Sequence, residues 1–240
     1  MTLAVIIALP GVIAAYLVPT LVVLALHQAG VVRALSGRGW TAISPYYSFA
    51  TTICFYGVLL AIVLVFASRH GGGAWAQLGL RRFALWVAIL MPPFALILQL
   101  LTGLLSALLS PLLGGLKNPQ GCDISRAFGA DPYLAVISIA VIAPVVEEIV
   151  FRGFIYGGLR QRWGVTVSIL VSSLGFALAH SLSVGGSILL LGPSLFLAGV
   201  ALAFVYERSR SLLPGIVLHA SFNLIAVIAI FVAGTQASCH

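Results

Sequence analysis

The stretch YLAVISIAVIAPVVEEIVFRGFIYGGL, residues 133–159, is long and apolar enough to cross a bilayer as one helix, yet it carries Glu147, Glu148 and Arg152 near its middle. A helix in lipid does not hold three charges without a reason. The rest of the chain shows that lipid is the solvent. Of 240 residues only 7% are charged and 61% are hydrophobic, and the mean hydropathy is +1.17, so there is too little polar surface to cover a globule. This composition excludes a soluble domain, a disordered chain, a collagen and a disulfide scaffold. The pI near 9.8 does not point to nucleic acid, because the 12 Lys and Arg residues stand in ones and twos between apolar runs. They read as loop anchors, and the lipid bilayer is the expected surrounding.

Outward from 133–159, intervals free of Asp, Glu, Lys and Arg locate the other spans. Thr2 to Val32, Gly39 to Ser68 and Phe83 to Leu116 hold one each. The first has no basic residue before Arg33 and runs past Pro10 and Pro19 to His27, which is too long for a cleaved signal peptide. The third would be about 51 Å long as one helix, so it must tilt, break at Met91-Pro92-Pro93, or end in loop at Leu113-Gly114-Gly115. Trp163 to Tyr206 is too long for one crossing and is expected to break within 181–187, and a last helix follows Pro214 to about Phe231. The fold class is therefore all-α: a polytopic membrane helical bundle of about seven transmembrane helices (six to eight), in a single integral-membrane domain, 1–240. Arg69, Arg81, Arg82, Arg160, Arg162, Arg208 and Arg210 in alternate loops, against Arg33, Arg38, Lys117 and Arg126 in the others, predict a cytoplasmic N-terminus. Cys54, Cys122 and Cys239 have no metal or redox spacing and are given no chemistry, and neither are His27, His70 and His240.

Ionisable residues inside spans cost about 2.5–3.5 kcal/mol each on insertion scales, which makes them functional candidates. Glu148 and Arg152 are four apart, share a helix face and can neutralise each other. Glu147, rotated about 100° from Glu148, is the spare carboxylate, and Pro144 lacks the N–H that would tighten the turn before it. Phe176 and His180 are four apart, so the ring can pack on the imidazole and hold it. His219 and Asn223 are also four apart and can present two donors to one point, as a developing oxyanion requires. Asp123, Asp131 and Glu207 fall in predicted loops. A carboxylate, an imidazole and a donor pair are the parts of a water-attack amide hydrolase.

Glu147-Glu148-Ile149-Val150-Phe151-Arg152, then Phe176-Ala177-Leu178-Ala179-His180, then His219-Ala220-Ser221-Phe222-Asn223 is similar to the EExxxR, FxxxH and HxxxN series of the CPBP family. That family holds the CAAX-type prenyl endopeptidases and bacteriocin-processing proteases. Order, intervals and membrane setting match over about Tyr133 to Ile230, whereas the first three spans match by hydrophobicity alone. The resemblance implies an intramembrane endopeptidase of the glutamate type, a hydrolase without a cofactor. In it, Glu147 with His180 would activate a water, and His219 with Asn223 would form the oxyanion site. Glu148, Arg152 and Phe176 would support them. The implied substrate is a peptide or small membrane protein, prenylated or not. The excess of Arg over Lys leads to the expectation of a prokaryotic cell membrane.

Other chemistry fits the same residues. Glu147 or Glu148 with His180 and His219 would supply three ligands to an open catalytic zinc, although there is no HExxH. A proton-coupled carrier also buries Glu, Arg and His, although no internal repeat is present. A catalytically silent scaffold or immunity protein would tolerate loss of Glu147.

Overall fold

The structure, a computed structural model, describes residues 21, 25, 40–68, 78–116, 119–129, 131–183 and 188–232. Of the first expected span only residues 21 and 25 are described, and Arg33, Arg38, Arg69, Lys117, His27, His70, Cys239 and His240 lie outside the described residues. Helix α1 is Trp40–Ser68 and α2 is Leu85–Leu112. Of the three ways to shorten the interval 83–116 the chain takes the loop. Pro92, Pro93 and Pro111 are all contained in α2, and the backbone turns at Gly114 and Gly115, with φ of 73° and 77°. A short helix not anticipated from the sequence, α3 (Gln120–Phe128), follows and packs on α1.

The span quoted at the outset becomes the centre of the bundle. It starts at Pro132, capped by the Asp131 carboxylate on the Tyr133 and Leu134 amides. The rod is α-helical over Pro132–Ala135, π-helical over Val136–Ile142, α-helical over Ala143–Glu148 and π-helical again over Ile149–Tyr156 before it continues into Gly157–Ser183. Only Gly164, at φ 74° and ψ −176°, interrupts it, so the turn between the fourth and fifth spans lies there. We call 132–163 α4 and 165–183 α5. Helix α6 is Ile188–Ser209 and α7 is Leu212–Val232, with Pro214 in its first turn. The break expected within 181–187 falls between α5 and α6.

Among the described residues no strand occurs. Five stretches of the described residues are apolar and long enough to span a membrane, and one of them, Pro132–Ser181, is the 50-residue rod that turns at Gly164. Every residue from Val146 to Gly153 is buried, which makes this part of α4 a helix enclosed on all sides. By contrast, Leu85, Ile89, Leu100 and Leu108 on α2 are exposed, as a lipid-facing surface requires. Small residues bring α5 and α6 together. A methyl group added to Gly199 would stand 2.9 Å from Ser173 Cβ, so the two helices meet through atoms a side chain would displace. Glu207, expected in a loop, is on α6, and Asp123 is on α3. Cys122, given no role from its spacing, is disulfide-bonded, and Cys54 is a free, exposed thiol.

Candidate active site

The site is assembled around α4. Arg152 Nη1 donates to Glu148 Oε1 at 2.9 Å, and neither side chain is exposed to more than 1%. In a dry interior this pair requires further hydrogen bonds to be tolerated, and it has two of them, although Arg152 Nε and Glu148 Oε2 are buried without a hydrogen bond among the described residues. Arg152 Nη2 donates to the Gly199 carbonyl at 3.1 Å, and His219 Nδ1 donates to Glu148 Oε1 at 3.1 Å. The guanidinium also lies 4.7 Å from the centre of the Phe176 ring, a cation–π contact. That ring touches two more members of the site: it stacks on His180 at 4.3 Å and meets His219 edge-on at 5.6 Å. Phe176 thus holds three side chains, where its spacing had pointed to one.

Glu147, about 100° round the helix from Glu148, meets three helices. Its Oε1 accepts from the Tyr56 hydroxyl of α1. Its Oε2 stands 3.3 Å from His180 Nε2 of α5 and 3.6 Å from His219 Nε2 of α7. The tautomers follow from the partners on the other ring nitrogens. His180 Nδ1 is 2.9 Å from the Phe176 carbonyl, which can only accept, and His219 Nδ1 faces a carboxylate oxygen. Both Nδ1 atoms therefore carry hydrogen. In neutral rings both Nε2 atoms then present lone pairs, and Glu147 Oε2 is a third acceptor at the same place. Oε2 is buried and makes no hydrogen bond among the described residues. Three acceptors meeting at one place define a position that takes protons, as a water molecule or on an imidazole.

Asn223, expected beside His219 as a second donor, has one amide N–H committed. Nδ2 donates to the Ile139 carbonyl of α4 at 2.8 Å. Pro144 explains why that carbonyl is open. In the π-helical turn each N–H reaches five residues back, as Ala143 N does to Ser138 O. The donor for Ile139 would be residue 144, which as proline has none. The proline expected to loosen the turn before Glu147 leaves an acceptor that a side chain of α7 fills, and the second N–H of the Asn223 amide remains.

These groups line a cavity of about 770 Å3 that also reaches Gln99 and Thr102 of α2 and Asp123 of α3. Sequence reasoning missed Tyr56 and Gln99. A phenol and an amide inside apolar spans were the signal available for both, since neither can stay unpartnered in lipid.

Residues 129–225 match the family model described as Type II CAAX prenyl endopeptidase Rce1-like. Over that region, about two fifths of its length, the chain is similar to the family of the three motifs, and it is an integral membrane protein. It is 34% identical over 86 residues to the UPF0177 protein YxdF of Lactococcus lactis subsp. lactis (strain IL1403), covering 36% of this chain and 44% of that one. It is 35% identical over 91 residues to an "Uncharacterized 24.3 kDa protein" of Escherichia coli, covering 37% and 41%. It is 30% identical over 99 residues to the "Putative membrane peptidase YdiL" of Bacillus subtilis (strain 168), covering 41% and 38%. The chain thus spans about two fifths of the length of the curated relatives it matches. No solved structure gives a significant match.

Proposed function

We propose that this chain is a CAAX-type intramembrane endopeptidase of the glutamate type, acting on a peptide or small membrane protein, prenylated or not, in a prokaryotic cell membrane. The observation that carries the reading is the meeting of Glu147 Oε2 with His180 Nε2 and His219 Nε2, three proton acceptors from three helices at the wall of one cavity. A water held there has an acceptor for each of its hydrogens. Glu147, with His180, takes one proton, and the hydroxide bonds to the carbonyl carbon of the substrate amide. The carbonyl oxygen becomes an oxyanion, which the free N–H of Asn223 and a protonated His219 Nε2 stabilise. The C–N bond then breaks, and the proton taken from water leaves on the amine. The charges suit this: Glu147, Glu148 and Arg152 sum to one negative charge, and one proton on an imidazole balances it.

The test is cleavage of a mixed library of prenylated and unmodified peptides by purified protein in detergent. Wild type is compared with Glu147→Gln, each with and without a strong chelator. The expected result is wild-type cleavage that withstands chelator and falls at least about 100-fold in Glu147→Gln, the contribution usual for a positioned general base. Chelator-sensitive cleavage restored by zinc would keep the peptidase and replace the glutamate mechanism. Equal behaviour of two folded proteins would overturn the reading in favour of a scaffold or carrier.

A further inference from the structure

Gln99 stands mid-way along α2 in the run Leu96-Ile97-Leu98-Gln99-Leu100-Leu101. It lies outside the region that carries the three motifs. Its Oε1 is buried and makes no hydrogen bond among the described residues. Its polar neighbours on the same wall are all provided for. Thr102 Oγ1 donates back to the Leu98 carbonyl at 2.9 Å, Ser194 Oγ of α6 donates to the Thr102 carbonyl at 3.1 Å, and the hydroxyls of Ser106 and Ser194 meet at 2.9 Å. Gln99 is thus the unfilled acceptor of the α2–α6 wall of the cavity that holds Glu147, His180 and His219, and across that cavity Ser138 Oγ of α4 is likewise buried without a hydrogen bond among the described residues.

The cavity lies in the range of about 300–1,000 Å3 typical of ligand sites. An isoprenoid chain or an apolar side chain brings no donor to Oε1. An extended peptide brings an N–H at every residue, none of which can stay unpaired in such a cavity. We propose that Gln99 is a substrate-binding residue: its Oε1 accepts one backbone N–H of the substrate and so fixes the register of the peptide relative to Glu147. The assignment rests on the endopeptidase reading and adds to it a subsite for the peptide backbone.

The experiment uses the full chain in detergent and an unmodified fluorogenic peptide cleaved by wild type, together with the set of its singly N-methylated versions. Gln99→Met keeps the length of the side chain and removes the acceptor. It is expected to raise KM about 10-fold with kcat within about 2-fold, the pattern of a contact made equally in the ground and transition states. At one position N-methylation should cost wild type about as much and cost Gln99→Met nothing. Gln99→Asn, which withdraws the amide by one methylene, should show the same loss at the same position and serves if Gln99→Met fails to fold. Unchanged KM in either folded variant, or N-methyl effects equal to those of wild type at every position, would overturn the subsite and leave Gln99 holding water. Glu147→Gln in the same assay separates the two levels. If it is inactive while the Gln99 variants behave as wild type, only the subsite fails. If it cleaves like wild type, the endopeptidase reading fails and the subsite with it.

Discussion

Two glutamates of this chain each lie beside a tyrosine hydroxyl and basic side chains, and their oxygens are filled to opposite degrees. Glu207, near the end of α6, accepts from Tyr156 at 2.6 Å, from Arg160 at 2.7 and 2.9 Å, and lies 2.8 Å from Arg210. Both of its oxygens are filled by strong, charge-assisted donors. Glu147, in the middle of the bundle, has Tyr56 on one oxygen and two imidazole nitrogens near the other, at distances that leave room for a proton or a water. A carboxylate saturated by guanidinium has nothing left to take, so the first cluster ties α4 to α6. One oxygen left open among lone pairs suits the second cluster to the chemistry proposed for it. Glu148 stands between the two cases: Oε1 is filled by Arg152 and His219, while Oε2 is buried without a partner.

Removing Glu148 would erase the distinction, and it carries the largest expected effect on stability. Glu148→Ala leaves a fully buried guanidinium with no paired carboxylate and His219 Nδ1 with no acceptor. The cost of breaking such a pair is about 3–5 kcal/mol. Arg152 would then be left with Glu147 as the remaining carboxylate of its helix, which would make Glu147 resemble Glu207. Melting in detergent should fall sharply, and cleavage should be lost even in the fraction that stays folded. A normal melting curve would refute the ion-pair account.

Much of this was readable from the chain, for physical reasons. Charges are excluded from lipid, so charge-free intervals located the spans, and charges within spans marked Glu147, Glu148, Arg152, His180 and His219. Spacing of four predicted which side chains share a face. It said nothing of contacts between helices, because a lone tyrosine on α1 or glutamine on α2 has no period to read. The turn at Gly164 was masked by Arg160 and Arg162, which look like loop anchors, although Arg160 lies on the helix and holds Glu207. The partner of Asn223 depended on a π-helical register, which neither propensity nor hydrophobic period encodes.

Tyr56 sharpens the comparison from the other side. Its ring packs edge-on against Phe55 with centroids 5.1 Å apart, a contact that Tyr56→Phe keeps, while the hydroxyl on Glu147 Oε1 is lost. A hydrogen bond to a charged group is worth about 1.5–3 kcal/mol, so kcat should fall about 10-fold or more. KM should change little, because the hydroxyl holds the proposed base and not the substrate, and the melting temperature should fall by about a few degrees with the lost hydrogen bond. An unchanged kcat would mean that the two imidazoles position Glu147 without help from α1.

The smallest effect should come from the saturated glutamate. Glu207→Gln removes the charge that Arg160 and Arg210 share but keeps an oxygen for Tyr156 and nearly the same volume. The side chains of Arg160 and Arg210 are 33% and 56% exposed, so water can solvate both once the carboxylate is gone. The melting temperature should fall by about a few degrees at most, and kcat/KM should stay at the wild-type value. Arg160 ends the part of α4 that leads into the turn at Gly164, so a loosened staple there should appear first as faster amide exchange in 157–163. A large loss of turnover with normal melting would show that Glu207 reaches the chemistry. In that case saturation by donors would no longer separate the structural carboxylate from the reactive one.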